Sequence, residues 1–263
     1  MLEKNLDSLA LKLHLARLEA QPIVQISKNL SDLTRMDAYA IQEKQMQFLE
    51  EKGEKIVGWK MGLTSEAKRK QMNLDSPLYG FLTDKMQVEN SGIFSLKNTI
   101  HPKIEPEIAF RISQDLQWPV SREQVLDACS GVAACMEILD SRYTEFKYFS
   151  MEDVIADNSS SSHFVMGDWI INFREMDLLN LKMEMFIDDK LAQSGVSKDI
   201  SGDPVQSVID LCQMLNIRGK TLKAGSIVLA GAATPAIELK PKMKIQLRVD
   251  GCSTVNVTVE SKQ

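Results

Sequence analysis

One ten-residue stretch, HPKIEPEIAF at 101–110, constrains the fold of this 263-residue chain more than any other. In an extended strand, alternate side chains point to opposite faces of the sheet. The isoleucines and Phe110 would then share one face, and Glu105 and Glu107 would stand side by side on the other. We therefore expect a half-buried strand. Pro106 removes a backbone donor from its middle, which favours an edge strand or a bulge.

Two neighbouring carboxylates raise each other's cost of ionisation, so Glu105 and Glu107 need either solvent or a cation. An ordinary solvent-exposed strand would satisfy them equally well. Glu137 is more informative, because it is the single charged residue in the apolar run VAACMEIL at 132–139. Burying an unpaired carboxylate is costly, so a metal ion, Arg142 or a lysine should neutralise it.

A further strand is predicted at 55–64, KIVGWKMGLT, followed by a short helix at 65–72. Lys60 lies on the same face of this strand as Gly58 and Gly62. The two glycines would leave space around the Lys60 ammonium group for a ligand. An ordinary surface lysine beside strand irregularities explains the same pattern.

The first part of the chain, 1–54, is predicted to be helical and to pack on the rest. A stripe of leucines indicates one helix at 2–20. A second helix should begin after Thr34, which can form a capping box with Asp37, and end at Gly53.

The remaining residues, 55–263, are predicted to form one β-rich catalytic domain. Capping signals place helices at 121–129 and 203–215, between segments with strand patterns. Helices interspersed irregularly among strands argue against a doubly wound parallel sheet and favour an α+β fold.

Composition excludes several classes of function. The net charge of −5, without a basic stripe, argues against nucleic acid as a partner. No apolar run approaches the roughly 20 residues of a membrane helix, and the charged N-terminus lacks a signal-peptide core. The four cysteines show no CxxC spacing and predict free thiols in a cytoplasmic protein. The chain has only three histidines, which argues against a His-rich zinc site and against a Ser/His/Asp triad.

The three glutamates together suggest a metal site. Carboxylates without Cys or His beside them suit Mg²⁺ or Mn²⁺ better than Zn²⁺. Three protein ligands on an octahedral ion leave positions for a 2-oxo acid, whose carbonyl the ion would polarise. The charges of Glu105, Glu107, Glu137, Lys60 and a divalent ion sum to zero. Alternatively, Glu137 pairs with Arg142 and the other two glutamates face solvent.

These motifs resemble those of the 2-hydroxypenta-2,4-dienoate hydratase and 4-oxalocrotonate decarboxylase family, within the fumarylacetoacetate-hydrolase-like superfamily. The likeness runs over essentially the whole chain. It is carried by GWKMGLT at 58–64, SPLYGFLTD at 76–84, HPKIEPEIAF at 101–110, MEILDSRY at 136–143, DVIADNSSSS at 153–162 and LAGAAT at 229–234. The resemblance implies an α+β fold with a mixed β-sandwich or β-roll core, surrounding helices and a helical N-terminal section.

The resemblance also implies roles for individual residues. It assigns Mg²⁺, with Mn²⁺ as an alternative, to three glutamates: Glu105, Glu107 and Glu137. Lys60 would be the catalytic residue that faces a bound 2-oxo dicarboxylate. The DNSSSS loop would contribute substrate contacts from Ser160 and Ser161.

The family contains two chemistries, and Leu78 helps to separate them. Hydratases of the family carry an aspartate at this position, suited to placing water, whereas the decarboxylases carry leucine. Leucine cannot act as a base, and it makes the pocket wall apolar and dry. The DSRY sequence at 140–143 also resembles the decarboxylase branch.

We therefore expect Mg²⁺-dependent decarboxylation of 2-oxo-3-hexenedioate to 2-hydroxypenta-2,4-dienoate and CO₂, in the meta-cleavage degradation of aromatic compounds. Hydration of the dienoate is the nearest alternative, with C–C hydrolysis of an acylpyruvate further off. A non-catalytic partner subunit of the hydratase belongs to a different class, and the intact Lys60 and glutamates argue against it. The resemblance also implies a homo-oligomer and association with the hydratase. We expect no partnership with nucleic acid or membrane.

Overall fold

Two mixed β-sheets form the centre of the fold in the computed structural model, which describes residues 5–65, 69, 76–145 and 150–260. The larger sheet contains, in spatial order, β2 (Leu78–Thr83), β1 (Ile56–Gly62), β10 (Ile227–Ala232), β5 (Lys103–Ile112), β6 (Cys129–Leu139), β7 (Ser161–Met166) and β3 (Gln87–Val88), with β11 (Ile237–Glu238) beside β5. The smaller sheet contains β4 (Gly92–Ser95), β13 (Val255–Glu260), β12 (Lys244–Val249), β8 (Lys182–Ile187) and β9 (Lys190–Val196). Parallel pairs join β1 to β10, β3 to β7 and β4 to β13, so the fold is not doubly wound.

The helices surround these sheets. They are α1 (Leu6–Glu19), α2 (Arg35–Glu51), α3 (Arg122–Ala128), α4 (Met151–Ala156) and α5 (Pro204–Ile217). Single 3₁₀ turns lie at Ile26–Lys28, Asp84–Met86, Asn158–Ser160, Phe173–Glu175 and Ser197–Asp199. None of the helices in the described part of the chain has the length and apolar character needed to cross a lipid bilayer.

The predicted capping signals mark real helix starts. The Thr34 hydroxyl accepts from the Asp37 amide at 3.1 Å, and the Asp37 carboxylate accepts from the Thr34 amide at 2.9 Å. Helix α5 begins at Pro204, immediately after its N-cap residue Asp203. These predictions are confirmed because each depends only on local chemistry. Most of the helix predicted at 65–72 lies outside the described residues.

The prediction of a strand within the stretch at 101–110 is confirmed, but its half-buried character is wrong, and so is the edge position, the first of the two alternatives that Pro106 suggested. Strand β5 is central, paired to β6 on one side and to β10 and β11 on the other. Both of its faces are covered, since Ile108 and Ala109 are each fully buried in different apolar clusters. The irregularity that Pro106 suggested lies in the neighbouring strand β10, where the pairing shifts between Leu229 and Ala232.

The N-terminal helices pack on the sheets. Leu13 of α1 and Ile41 of α2 are fully buried in the main apolar core. The Gln42 side chain donates to the carbonyl of Tyr79 at 2.9 Å and to that of Ile155 at 3.1 Å, which ties α2 to both β2 and α4. Helix α2 therefore fixes the relative placement of two elements. A domain boundary between residues 54 and 55 stays a prediction.

His163 should make the fold sensitive to acid. Burial lowers its pKa to about 4, and Arg17 acts in the same direction. The imidazole contacts the Phe94 ring and hydrogen-bonds the Ser162 hydroxyl at 2.8 Å. In the unfolded chain the pKa of His163 has its ordinary value of 6.5, so as the pH falls the unfolded state takes up the proton before the folded state does. Stability is therefore lost as the pH falls from about 6.5 towards 4.

We predict that the variant His163→Gln loses less stability than the parent chain between pH 7.5 and pH 4.5. The difference should be about 2–3 kcal/mol in the free energy of unfolding, measured by urea denaturation at both pH values. An equal loss in the two proteins would show that the His163 imidazole is readily protonated in the folded state.

Candidate metal centre

The pairing of β5 with β6 brings the three predicted glutamates together. In this antiparallel register Glu105 lies directly opposite Glu137. Glu107 lies two residues further along β5 and therefore on the same face. One oxygen from each of the three carboxylates lies within 4.8 Å of the others. Glu107 and Glu137 are fully buried, and Glu105 is partly exposed at the mouth of the cluster.

The cluster has the features of a cation site. Glu107 Oε1 and Glu137 Oε1 are buried and make no hydrogen bond within the described part of the chain. Burial raises the pKa of Glu107 well above its ordinary value, and Glu137 and Glu105 raise it further. Buried acceptors without donors are expensive. A divalent cation would satisfy them, and an all-carboxylate set suits Mg²⁺ or Mn²⁺.

Lys60 lies against this cluster. Its Nζ is 3.1 Å from Glu137 Oε2, and the residue is 2 % exposed. Burial alone would lower the pKa of Lys60, but Glu137, Glu105 and Glu107 outweigh it and raise the pKa above its ordinary value. Lys60 is therefore an ammonium ion in this setting. Burial likewise raises the pKa of Glu137, while Lys60 and the Ser161 hydroxyl act in the opposite direction.

The alternative partner considered for Glu137 is wrong. The Arg142 guanidinium forms its ion pair with Asp157 instead. Because Glu107 is fully buried, the glutamates of β5 do not simply face solvent either.

The two glycines that flank Lys60 have different roles. A Cβ at Gly62 would lie 2.6 Å from Leu78 Cδ1 and 3.7 Å from Lys60 Nζ, so this glycine does leave space beside the ammonium group. A Cβ at Gly58 would lie 2.0 Å from the carbonyl oxygen of Ile227. Gly58 therefore permits close pairing of β1 with β10, and its predicted role beside Lys60 is wrong.

Gly231 is a contributor that the sequence did not reveal. Its amide donates to Glu107 Oε2 at 2.7 Å from the irregular part of β10. Its φ of +108° is rare for residues with a side chain, and a Cβ there would lie 2.5 Å from Thr64. The glycine of the LAGAAT motif was the available signal, but which carboxylate it meets depends on strand order.

A cavity of about 350 Å³ opens beside the cluster. Its lining includes Lys60, Glu105, Leu78 and Ser160, all of which were predicted site residues. Ser161 is absent from the lining: its side chain is buried beside Glu137.

The polar residues that line the cavity and were not predicted include Lys103, Tyr143 and Asp157. Lys103 precedes Glu105 by two residues, so strand periodicity could have placed it on the same face. Tyr143 and Asp157 belong to the DSRY and DNSSSS motifs, but their approach to β5 depends on tertiary packing.

The fold and the site define the family of this chain. Residues 60–260 match the family model described as fumarylacetoacetate (FAA) hydrolase, C-terminal. The chain belongs to the fumarylacetoacetate hydrolase family, and its α+β fold is the fold of that family. The fold class predicted from the sequence is thereby confirmed.

Individual members of the family are similar to this chain over nearly its whole length. A 4-oxalocrotonate decarboxylase from Pseudomonas sp. (strain CF600) is 37% identical over 94% of this chain and 95% of its own length. A 2-hydroxyhexa-2,4-dienoate hydratase from Comamonas testosteroni is 34% identical over 94% of both chains. A solved structure of 4-oxalocrotonate decarboxylase from Pseudomonas putida G7, complexed with magnesium and adipate, superposes with a TM-score of 0.94, at 33% identity and 98% coverage of both chains.

We predict that the variant Glu107→Gln stabilises the metal-free protein while weakening metal binding. A carboxyl group whose pKa is raised on folding costs stability above its ordinary pKa of 4.5, so removing its charge should help at pH 8. Urea denaturation in EDTA should therefore give a higher free energy of unfolding for the variant than for the parent chain. The rise in Tm that Mg²⁺ gives the parent chain should disappear.

Glu184→Gln is the matched control, because Glu184 pairs with Lys182 on the smaller sheet. This control should keep the full Mg²⁺-dependent rise in Tm. An unchanged Mg²⁺ effect in Glu107→Gln would exclude Glu107 as a ligand.

Proposed function

We propose that this chain catalyses the Mg²⁺-dependent decarboxylation of 2-oxo-3-hexenedioate to 2-hydroxypenta-2,4-dienoate and CO₂, a step in the meta-cleavage degradation of aromatic compounds. The observation that carries the proposal is the combination of a three-carboxylate cluster with the apolar side chain of Leu78 in the wall of one cavity. The decarboxylase relatives support it over nearly the whole chain. The cavity volume lies in the range of roughly 300–1,000 Å³ that is typical of small-molecule sites.

The glutamate cluster holds the metal ion in this proposal. Glu105, Glu107 and Glu137 provide one oxygen each, and the natural ligands are the two buried oxygens for which the described part of the chain offers no hydrogen bond. When bound, Mg²⁺ supplies Lewis-acid polarisation of the substrate's 2-oxo group. Mn²⁺ has the same preference for oxygen ligands and is a plausible substitute in vitro.

The reaction needs stabilisation of negative charge at the 2-oxo oxygen. Cleavage of the C5–C6 bond releases CO₂, and its electron pair forms the C4=C5 double bond. The electrons of C3=C4 form C2=C3, and those of the carbonyl move onto the oxygen, which then takes a proton. The Lys60 ammonium group, held beside the cluster, stabilises this charge as it develops.

The Leu78 side chain favours decarboxylation over hydration. It is 1 % exposed and packs where a Cβ at Gly62 would stand, next to the Lys60 ammonium group. An apolar wall provides no group that could bind or activate water for addition to a diene. It also leaves the departing carboxylate poorly solvated.

The serine loop provides substrate contacts in this proposal. Ser160 lines the cavity, and its hydroxyl donates to Asp157 Oδ2 at 3.3 Å; by turning its proton towards the substrate it would orient a carboxylate there. Ser161 acts through Glu137, beside which its hydroxyl is buried.

We further propose a homo-oligomer that associates with the dienoate hydratase, the enzyme class that consumes the product. Leu11, Leu15 and Leu18 lie about one turn apart on α1 and are 40–48 % exposed, which is typical of protein contact surfaces. A cytoplasmic location is supported by the four free cysteines, three of them buried.

A substitution at Leu78 tests the choice between the two chemistries. The parent chain with Mg²⁺ should release CO₂ from 2-oxo-3-hexenedioate. The variant Leu78→Asp should lower kcat/KM for this release at least tenfold, because a buried charge beside the departing carboxylate repels it. The apolar control Leu78→Met should retain most of the activity.

CO₂ release is measured by a coupled assay, and water addition to 2-hydroxypenta-2,4-dienoate by loss of diene absorbance. A parent chain that adds water to the dienoate and releases no CO₂ would make it a hydratase. Equal CO₂ release by Leu78→Asp and Leu78→Met would show that Leu78 does not favour decarboxylation over hydration.

A further inference from the structure

The turn that carries the cavity serines has an unusual backbone. Asn158, Ser159 and Ser160 have φ angles of 48°, 54° and 57°, so three consecutive residues with side chains are left-handed. Such a run is unfavourable for L-residues and persists only where its surroundings enforce it. All three residues are buried, and Ser159 and Ser160 also line the cavity. Their conformation therefore has to be imposed by specific contacts.

Arg142 contacts the chain at both ends of this turn. Its Nη1 donates to the carbonyl of Ser161 at 2.9 Å, and its Nη2 donates to the carbonyl of Asp157. Its Nε forms the ion pair with the Asp157 carboxylate, and its own amide donates to that carboxylate at 3.2 Å. One planar guanidinium thus ties the residue before the turn to the residue after it. Arg142 itself is 3 % exposed and does not line the cavity.

The other side of the turn is held by strand β2. The Asn158 side chain donates to the carbonyl of Phe81 at 3.0 Å and accepts from its amide at 2.8 Å. The Ser159 hydroxyl donates to the carbonyl of Tyr79 at 2.8 Å. The turn is therefore fixed between β2, which also carries Leu78, and the Arg142 guanidinium.

Arg142 is in turn fixed by the end of strand β6. Its Nη1 also donates to the carbonyl of Asp140, at 2.6 Å. The Asp140 carboxylate accepts from the amides of Ile100 and His101, which directly precede β5. The DSRY motif thus connects the start of β5, the end of β6 and the serine turn.

We infer that Arg142 is a positioning residue, whose guanidinium holds the left-handed turn Asn158–Ser160 so that Ser159 and Ser160 stand at the cavity wall. The role requires a planar group with several donors in fixed directions. A lysine ammonium carries the same charge but cannot reach the carbonyls of Asp157 and Ser161 in this geometry. A purely stabilising ion pair would need only the charge.

The test compares Arg142→Lys and Arg142→Met with the matched control Arg111→Met. Arg111 lies on β5, next to β6. Its side chain donates a hydrogen bond to the Ser130 hydroxyl and lies over the Trp169 ring, but it does not line the cavity. Three quantities are measured for each protein. The first two are kcat/KM for CO₂ release from 2-oxo-3-hexenedioate and the Kd of Mg²⁺ alone by calorimetry. Amide hydrogen exchange of the peptide that spans 157–161 is the third.

Arg142→Lys should lower kcat/KM by about 10- to 100-fold, with the Kd of Mg²⁺ changed by less than about threefold. The amides of 158–161 should exchange at least tenfold faster, while those of β12 stay unchanged. Arg111→Met should leave all three quantities near the values of the parent chain. If Arg142→Met does not fold, Arg142→Lys carries the test.

A folded Arg142→Lys with kcat/KM and turn exchange like those of the parent chain would overturn the inference. So would a loss of Mg²⁺ affinity in proportion to kcat/KM, since the effect would then pass through Glu137. The inference rests on the proposed function only for the kinetic measurement. If the parent chain releases no CO₂, that function fails, and hydrogen exchange still decides the role of Arg142.

Discussion

The register between β5 and β6 places two carboxylates opposite each other in the interior of the sheet, and a third two residues away. Like charges at this separation are unfavourable in a buried setting unless a cation lies between them. Lys60 pairs with Glu137, and two buried carboxylate oxygens of the cluster have no hydrogen-bond partner among the described residues. The excess of negative charge in this cluster accounts for the groups that the neighbouring strands place beside it.

Several neighbouring elements serve the cluster directly. Strand β1 carries Lys60, and the irregularity in β10 turns the Gly231 amide towards Glu107. Strand β2 places Leu78 against the open side of Gly62, so that one wall of the cavity is dry. The buried carboxylates destabilise the folded protein, and the apolar packing on both faces of the sheet offsets this cost. The same constraint thus links the packing of the sheet to its chemistry.

The sequence predicted much of the local structure, and strand periodicity placed Glu105 and Glu107 on one face of their strand. The capping boxes at Thr34 and Ser121 located two helices, because capping depends on residues three positions apart. Lys60 was recognised as a candidate through its glycines, although only Gly62 has the expected role.

The sequence did not reveal features that depend on strand order. Whether β5 is an edge or a central strand is decided by its second neighbour, β10, which lies far from it along the chain. For the same reason, the partner of Glu137 was left open between a metal ion, Arg142 and a lysine. The contribution of the Gly231 amide, and the two-ended contact of Arg142 with the serine turn, also arise from residues that only the tertiary fold brings together.

The most direct test of the central claim measures metal binding and catalysis on the same preparation. Mg²⁺ is titrated into EDTA-treated protein, and its Kd by calorimetry is compared with the Mg²⁺ concentration that gives half the maximal rate of CO₂ release from 2-oxo-3-hexenedioate. We predict one ion per chain and agreement of the two values within about threefold, with both signals lost in Glu137→Gln. Full CO₂ release after complete removal of divalent metal, or an unchanged Kd in Glu137→Gln, would contradict it.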